Sequence, residues 1–437
     1  MDHFDYRDGR LFAEKVPLET IAQAVCTPVY VYSTETLTRH YRVLAEALRA
    51  VSPTICYAVK ANGNLAVIAT LARLGAGADV VSGGELALAQ AAGVPANQIV
   101  FSGVGKSAEE MEAALRAGVL QINVESEAEL LTLDRVARRM GIRAPAALRV
   151  NPDVDAHTHH KISTGRSEDK FGIEWTAAHR VYTRAAALEG LDLAGVAVHI
   201  GSQLTELEPF REAFRRLRDL IAMLRADGLA IRTLDLGGGL GVPYGNEDES
   251  VPSPAEYARA VGETVGDLGC RLIFEPGRML VANAGVLLTR ILRIKEGDTR
   301  TFVIVDAGMN DLLRPALYGA WHAIVPVRAP VPDVEAYDVD VVGPICESSD
   351  SFGTGRRLPP LAEGDLLIIR TAGAYGRTMA SAYNARPLAP EVMVDGDRWI
   401  VVHDRVSVDE IIARQHLPPW LAVQAGAGAR LAIEAGE

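Results

Sequence analysis

The chain has 437 residues, 49% of them hydrophobic and 23% charged, with a formal net charge of -12. That length allows two domains with large cores, and the acidic balance offers no basic footprint for nucleic acid or an anionic membrane. No apolar run approaches the roughly 18 residues a membrane helix needs, and Met1-Asp2-His3-Phe4-Asp5 has no apolar export core. Cys26, Cys56, Cys270 and Cys346 form no CxxC pair, so reduced thiols and a cytoplasmic location are expected.

Taken in order, residues 28–32 read as a strand, and 35–50 as a helix with Leu37, Tyr41, Leu44 and Leu48 near one face. Short apolar runs then alternate with helix-like segments. The runs cover 54–59, 78–81, 98–101, 120–124, 146–150, 193–200, 231–236 and 271–274. Among the gaps, 107–117 carries Glu109 and Glu110 early, where they suit the helix dipole. Eight such units in about 250 residues predict an α/β fold, a (β/α)8 TIM-like barrel, with a doubly wound open sheet as the alternative. After about residue 285 strand-like runs dominate, at 301–305, 324–327, 339–342, 366–369 and 399–402. They predict a mostly antiparallel β domain. A last helix begins at Ser407, with Glu410 completing a capping box, and the tail beyond about 422 is expected to be loose. The expected division is a barrel over 35–285 and a C-terminal β domain over 286–437, which residues 1–34 join.

A barrel places function at the C-terminal ends of its strands. Lys60, Asp79, Ser102, Glu125, residues 149–151, His199, Gly237, Gly238, Gly239 and Glu275 all stand at such exits. A lysine, a glycine turn and a carboxylate at strand ends can together hold a phosphorylated aromatic aldehyde. Gly237-Gly238-Gly239-Leu240-Gly241 follows the seventh run, where backbone N–H groups often take phosphate. It is not a dinucleotide fingerprint, because the third glycine position falls at Val242. A desolvated Lys60 is expected to have a lowered pKa and to form a Schiff base, unless it is simply paired with a carboxylate at the rim. Glu275, in Phe274-Glu275-Pro276-Gly277-Arg278, can bond the pyridine nitrogen of pyridoxal 5'-phosphate and keep the ring protonated. His199 can stack on that ring and Ser202 can reach the phosphate, although a lone histidine also suits a structural role. Cys346-Glu347 lies between Gly343-Pro344 and Ser348, a positioned loop or a merely buried cysteine. His157, His159 and His160 share one loop, but without a Cys or HExxH pattern no metal is expected.

In order along the chain, these motifs resemble the diaminopimelate decarboxylases, pyridoxal-phosphate enzymes of fold type III. The motifs are Tyr57-Ala58-Val59-Lys60-Ala61-Asn62, Asp79-Val80-Val81-Ser82-Gly83-Gly84-Glu85, His199-Ile200-Gly201-Ser202-Gln203 and Gly237-Gly238-Gly239. They continue with Glu275-Pro276-Gly277-Arg278, Asp306-Ala307-Gly308-Met309-Asn310-Asp311, Arg314-Pro315-Ala316-Leu317-Tyr318, Cys346-Glu347-Ser348 and Gly373-Ala374-Tyr375-Gly376. The resemblance implies that Lys60 is the Schiff-base lysine and that His199 stacks on the cofactor ring. It also implies that Asp79, Ser202, Gly238, Gly239, Glu275, Pro276, Gly277, Arg278 and Tyr375 contact the cofactor. Arg278, Arg314, Tyr318, Glu347 and Tyr375 would read the substrate, and Cys346 would return the proton after carbon dioxide leaves. Cys346 and Glu347 would come from the partner subunit of a homodimer with shared sites. The implied reaction converts meso-2,6-diaminopimelate to L-lysine, the last step of lysine biosynthesis. The alternatives are a same-fold decarboxylase of ornithine, arginine, lysine or a carrier-linked amino acid, and a non-catalytic pyridoxal-phosphate-binding regulator. Arg314 and Glu347 argue against the simple diamine precursors, and the presence of Lys60 and Cys346 argues against the regulator. The lid-like loop His159-His160-Lys161-Ile162-Ser163 is richer in histidine than the resemblance leads one to expect.

Overall fold

The computed structural model describes residues 2–155, 164–165, 169–245 and 250–421. The loop of His157, His159 and His160 and the tail beyond 421 lie outside the described residues.

Eight parallel strands close a barrel: Thr54–Ala58, Gly77–Val80, Ile99–Phe101, Gln121–Val124, Ala144–Asn151, Leu191–Val198, Thr233–Asp235 and Arg271–Phe274. The fourth and fifth strands pair through Ile122 with Ala146, and the eighth and first through Phe274 with Ile55, so the sheet has no open edge there. This excludes the open doubly wound sheet. Each predicted run overlaps one of these strands. Their residues are almost continuously buried because helices cover the outside and side chains fill the inside. Helices Ala108–Ala117 and Pro254–Val265 start on full capping boxes, Ser107 with Glu110 and Ser253 with Glu256. The helix Thr34–Ala47 buries Leu37, Tyr41 and Leu44, and Leu48 is buried just after it, as the spacing predicts.

A second, mostly antiparallel sheet is built around the long strand Gly285–Glu296. That strand pairs antiparallel with Val29–Ser33, Leu366–Ile369 and Thr301–Val305. Two pairings run parallel: Val29–Ser33 with Glu391–Asp395, and Thr301–Val305 with Tyr337–Val342. Sequence reading had not singled out Gly285–Glu296, Ser351–Leu358 or Glu391–Asp395. It also missed a small sheet of Phe4–Arg7, Arg10–Ala13 and Val16–Pro17. The last helix, Val408–Ala413, starts at Ser407 with the expected capping box to Glu410. Among the described residues no helix is long and apolar enough to cross a membrane.

Candidate active site

The barrel's C-terminal mouth is laced by its own backbone. The Ala58 N–H donates to the Pro276 carbonyl at 3.1 Å, and the Glu275 N–H donates to the Gly237 carbonyl at 2.7 Å. The exits of the first, seventh and eighth strands are thereby tied together, which brings Lys60, the glycine turn and Glu275 to one place. Two adjoining cavities share Lys60, His199, Ser202, Glu275, Arg278 and Tyr375 in their walls. Gly237 to Gly239, Pro276 and Gly277 line the first, and Tyr318 lines the second.

The floor of the mouth is acidic. Lys60 stands in a short turn after the first strand, and its Nζ lies 3.6 Å from Oδ2 of the fully buried Asp79. Neither Asp79 oxygen has a hydrogen-bond partner among the described residues, and among them the Lys60 ammonium is the cation paired with it. Burial alone pulls the Lys60 pKa down, but Asp79, with Tyr375 and Glu275 behind it, outweighs that and raises it. The sequence-based expectation of a lowered pKa is therefore corrected: desolvation loses to the facing carboxylates. Glu275 Oε1 accepts from the Ser102 hydroxyl at 3.2 Å, and Asn123 Nδ2 donates to Asp235 Oδ2 at 2.8 Å. Burial pushes both Asp235 and Glu275 above the usual carboxylate range, and for Glu275 the charges of Asp235 and Asp79 add to it. Such a cluster favours a proton, or a cation, in its midst.

The opposite wall is cationic. Arg278 is buried, donates from Nη2 to Ser202 Oγ at 2.9 Å and from Nη1 to the Tyr244 hydroxyl, and leaves its Nε without a partner. Its guanidinium lies 4.9 Å from the ring centroid of Tyr375. Tyr375 holds a left-handed backbone (φ 54°), and its N–H donates to the Ala61 carbonyl next to Lys60 at 2.8 Å. A non-glycine residue in that conformation is uncommon and tends to mark a functional position. Between floor and wall, His199 Nδ1 accepts the Gly238 N–H at 3.1 Å, which makes Nε2 the protonated nitrogen of the neutral ring. Burial, with Lys60 and Arg149 nearby, holds the His199 pKa well below its usual value.

The chemistry of these groups fits pyridoxal phosphate. A Cβ at Gly238 would come within 2.2 Å of the Glu275 carbonyl oxygen, and one at Gly239 within 2.5 Å of the Gly201 carbonyl oxygen. Only a bare backbone can make this turn. Next to it, Arg278 bonds only neutral hydroxyls and keeps an unpaired buried N–H, as a site for a phosphate dianion should. The carboxylates at the other end suit a protonated ring nitrogen.

Other predicted residues lie apart from this centre. Arg314 is buried behind Tyr244, its guanidinium 4.3 Å from that ring's centroid, and lines neither cavity. Cys346 and Glu347 are exposed and likewise line neither. Their loop is built by the buried Asp350, which accepts the N–H groups of Met309 and Ile345 at 2.6 Å each. Glu347 accepts from the Tyr383 hydroxyl at 2.6 Å and the Ser349 hydroxyl at 3.1 Å, and these bonds hold its pKa below the usual range. Sequence reasoning assigned no role to Asn123, Asp235, Tyr244 or His322. Asp235 stands two residues before the glycine turn in the sequence. Asn123 and Tyr244 gave no local signal, because Asp235 and Arg278 lie far from them in the chain, and His322 gave none although Arg314 is only eight residues away.

Comparison with known proteins agrees with this chemistry. The family described as "Pyridoxal-dependent decarboxylase, pyridoxal binding domain" matches residues 34–282. The diaminopimelate decarboxylase of Pseudomonas aeruginosa is 52% identical, with 96% of this chain and 100% of that protein covered. The Vibrio cholerae one is 50% identical, with 96% and 100% covered. Among solved structures, the diaminopimelate decarboxylase of M. jannaschii in complex with L-lysine has a TM-score of 0.90 at 38% identity, with 96% of this chain and 99% of that one covered. The chain belongs to the pyridoxal-dependent decarboxylases, and among them to the diaminopimelate decarboxylase family.

Proposed function

We infer that the chain catalyses the pyridoxal-phosphate-dependent decarboxylation of meso-2,6-diaminopimelate to L-lysine and carbon dioxide. The observation that carries the reading is the mouth itself: Lys60 held against Asp79, with Glu275 and the glycine turn laced to the same strand exits. When bound, pyridoxal phosphate supplies an aldehyde that takes up the substrate amine and a protonated ring that accepts the electron pair left on the α carbon.

The chain's own residues do the rest. Gly238, Gly239, Ser202 and Arg278 bind the phosphate, with Pro276, Gly277 and Tyr375 around them. Glu275 is the carboxylate that holds a proton at the ring nitrogen, and the Asp235 charge beside it strengthens that hold. Asp79 keeps Lys60 as an ammonium, so the lysine must pass a proton on before its amine can attack a carbonyl. His199 presents a neutral, oriented imidazole face, because the Gly238 N–H fixes its tautomer. At the substrate's far end Arg314 and Tyr318 meet the carboxylate that is not lost, and Glu347 meets the ammonium beside it. The thiol of Cys346 donates a proton to the α carbon once carbon dioxide has left.

Cys346 and Glu347 line neither cavity of their own barrel mouth, which supports a homodimer in which each chain completes the other's site. A cytoplasmic location and a division into a barrel over 35–285 and a β domain over 286–437, joined by 1–34, complete the reading. Pairing of Val29–Ser33 with Gly285–Glu296 supports that last point.

The test is direct. Purified protein with pyridoxal phosphate is given meso-diaminopimelate, and lysine and carbon dioxide are followed, with ornithine, arginine and L-lysine as parallel substrates. Lysine formed from diaminopimelate alone is expected. A preference for another amino acid would overturn the substrate assignment. For the shared site, Lys60→Ala and Cys346→Ala chains are mixed under exchanging conditions. Random pairing should restore up to about a quarter of the wild-type activity, and no recovery would refute the sharing.

A further inference from the structure

Arg314 makes an unusual use of its charge. Its guanidinium is buried, yet among the described residues no carboxylate bonds it. Nη1 bonds His322 Nε2 at 2.7 Å, and His322 Nδ1 bonds the Arg370 carbonyl at 2.8 Å. A carbonyl only accepts, so Nδ1 carries the ring proton and Nε2 is the acceptor for the arginine. Nε of Arg314 is buried without a partner, and no hydrogen bond from Nη2 is seen among the described residues. The occupied corner is therefore Nη1, and the edge left over is Nε with Nη2, one of the two edges that can grip a carboxylate with two parallel N–H bonds.

His322 is itself fully buried, edge-on to Tyr244 at 5.0 Å between ring centroids. It also sits at a junction. The N–H of the next residue, Ala323, donates to the Tyr244 carbonyl at 3.1 Å, and the Arg370 N–H donates to the Ala323 carbonyl at 2.9 Å. One loop thus fixes the tyrosine on which Arg314 stacks, the strand end that orients the imidazole, and the imidazole that holds Arg314.

We propose that His322 is the positioning residue for substrate recognition: as a neutral acceptor it anchors one corner of Arg314 and leaves that arginine's charge and its Nε–Nη2 edge for the substrate's retained carboxylate. A carboxylate at this place would anchor Arg314 equally well but would neutralise it. Burial, with Arg314 beside it, lowers the His322 pKa to about 3, so the ring stays an uncharged acceptor at neutral pH. The proposal rests on the reading of Arg314 as the reader of the far carboxylate.

The experiment uses two ligands that differ only in that group: L-lysine, and cadaverine, which is lysine without its carboxylate. The holoenzyme is assayed for kcat and KM with meso-diaminopimelate, for competitive inhibition by each ligand, and for its cofactor absorbance, in wild type, H322F, H322Q, H322E and R314Q. In H322F, KM and the lysine inhibition constant should rise together by roughly 10-fold or more, about the loss of one charge-assisted contact. Cadaverine inhibition and absorbance should stay within about twofold of wild type. H322Q, which keeps a neutral acceptor, should recover most of lysine's advantage over cadaverine, and H322E should lose it. Equal weakening of both ligands, or loss of cofactor, would make His322 merely structural and overturn the proposal. Should H322F not fold, the contrast between H322Q and H322E decides, and equal lysine preference in those two would overturn it. If R314Q leaves the preference for lysine over cadaverine unchanged, the reading of Arg314 falls and the proposal with it. If R314Q abolishes the preference and the His322 variants do not, the proposal alone falls.

Discussion

Gly238→Ala is the sharpest small perturbation of this site. The added Cβ would stand 2.2 Å from the Glu275 carbonyl oxygen and 3.1 Å from its carbonyl carbon. Ordinary contact begins at 3.4 Å, so the shortfall to the oxygen is about 1.2 Å. The obstacle is backbone and cannot swing aside. It belongs to the residue whose own N–H is tied to the Gly237 carbonyl at 2.7 Å. Either the glycine turn moves outward or the exit of the eighth strand moves, and both belong to the proposed cofactor site. Losing one hydrogen bond to a charged phosphate costs about 1.5–3 kcal/mol, roughly 10- to 100-fold in affinity. The assay is a fluorescence titration of apo-protein with pyridoxal phosphate, with far-UV circular dichroism to show an intact fold. Gly262→Ala is the control. It lies within the helix Pro254–Val265 with nothing within 4 Å of its added Cβ, so it should leave affinity unchanged and add about 1 kcal/mol of stability. A folded Gly238→Ala protein that binds the cofactor within about twofold of wild type would refute the reasoning.

Three further outcomes are expected. Arg314→Ala should raise KM for diaminopimelate roughly 10- to 100-fold, from the loss of charge-assisted hydrogen bonds, with the cofactor absorbance unchanged; an unchanged KM would remove Arg314 from the substrate site. Asp79→Asn removes the charge that holds Lys60 protonated, so the pH midpoint for capture of pyridoxal phosphate by apo-protein should move down, since only the neutral amine reacts; a midpoint that stays or rises would show that Asp79 does not set it. Asp311 has its pKa raised by burial from 3.8 to about 6, so the folded state binds more protons than the unfolded one between those values. Its contribution to stability is complete below about pH 4 and is lost as pH rises through about 6, on the order of 3 kcal/mol at most. In urea melts the difference between wild type and Asp311→Asn should show that slope, and a pH-independent difference would contradict it.

The barrel was legible because parallel strands buried on both faces read as largely apolar runs, even where Gln121 and Asn123 interrupt the fourth and Arg232 and Asp235 the seventh. Lys60 and Glu275 were legible for a related reason: a charge that ends an apolar run stands out. The long strand Gly285–Glu296 did not, because Leu287, Leu288 and Ile291 interleaved with Arg290 and Arg293 suit a helix as well as a strand. Two of its partners, Val29–Ser33 and Leu366–Ile369, help decide the matter and are remote in sequence. The same distance hid Asn123, whose bond to Asp235 spans 112 residues. It also reversed the sign at Lys60. Desolvation can be read from a strand end, but the approach of Asp79 is a product of strand register, where Ala58 pairs with Asp79.

The charges of this site are segregated in a way that a protein optimised only for stability would avoid. Asp79, Asp235 and Glu275 crowd the floor, while Arg278 and Arg314 share Tyr244 on the wall and bond no carboxylate among the described residues. Unpaired buried charges are costly, and letting the arginines collapse onto the acids would relieve both sets. The lacing of the strand exits and the Tyr244–Ala323 bond hold them apart instead. On the proposed reading, both ends are relieved by a ligand with a protonated ring at one end and a phosphate at the other, followed by a substrate that brings its own carboxylate to Arg314. On that reading the segregation of charge is also the selectivity: a molecule lacking either charge leaves one side of the site unpaired.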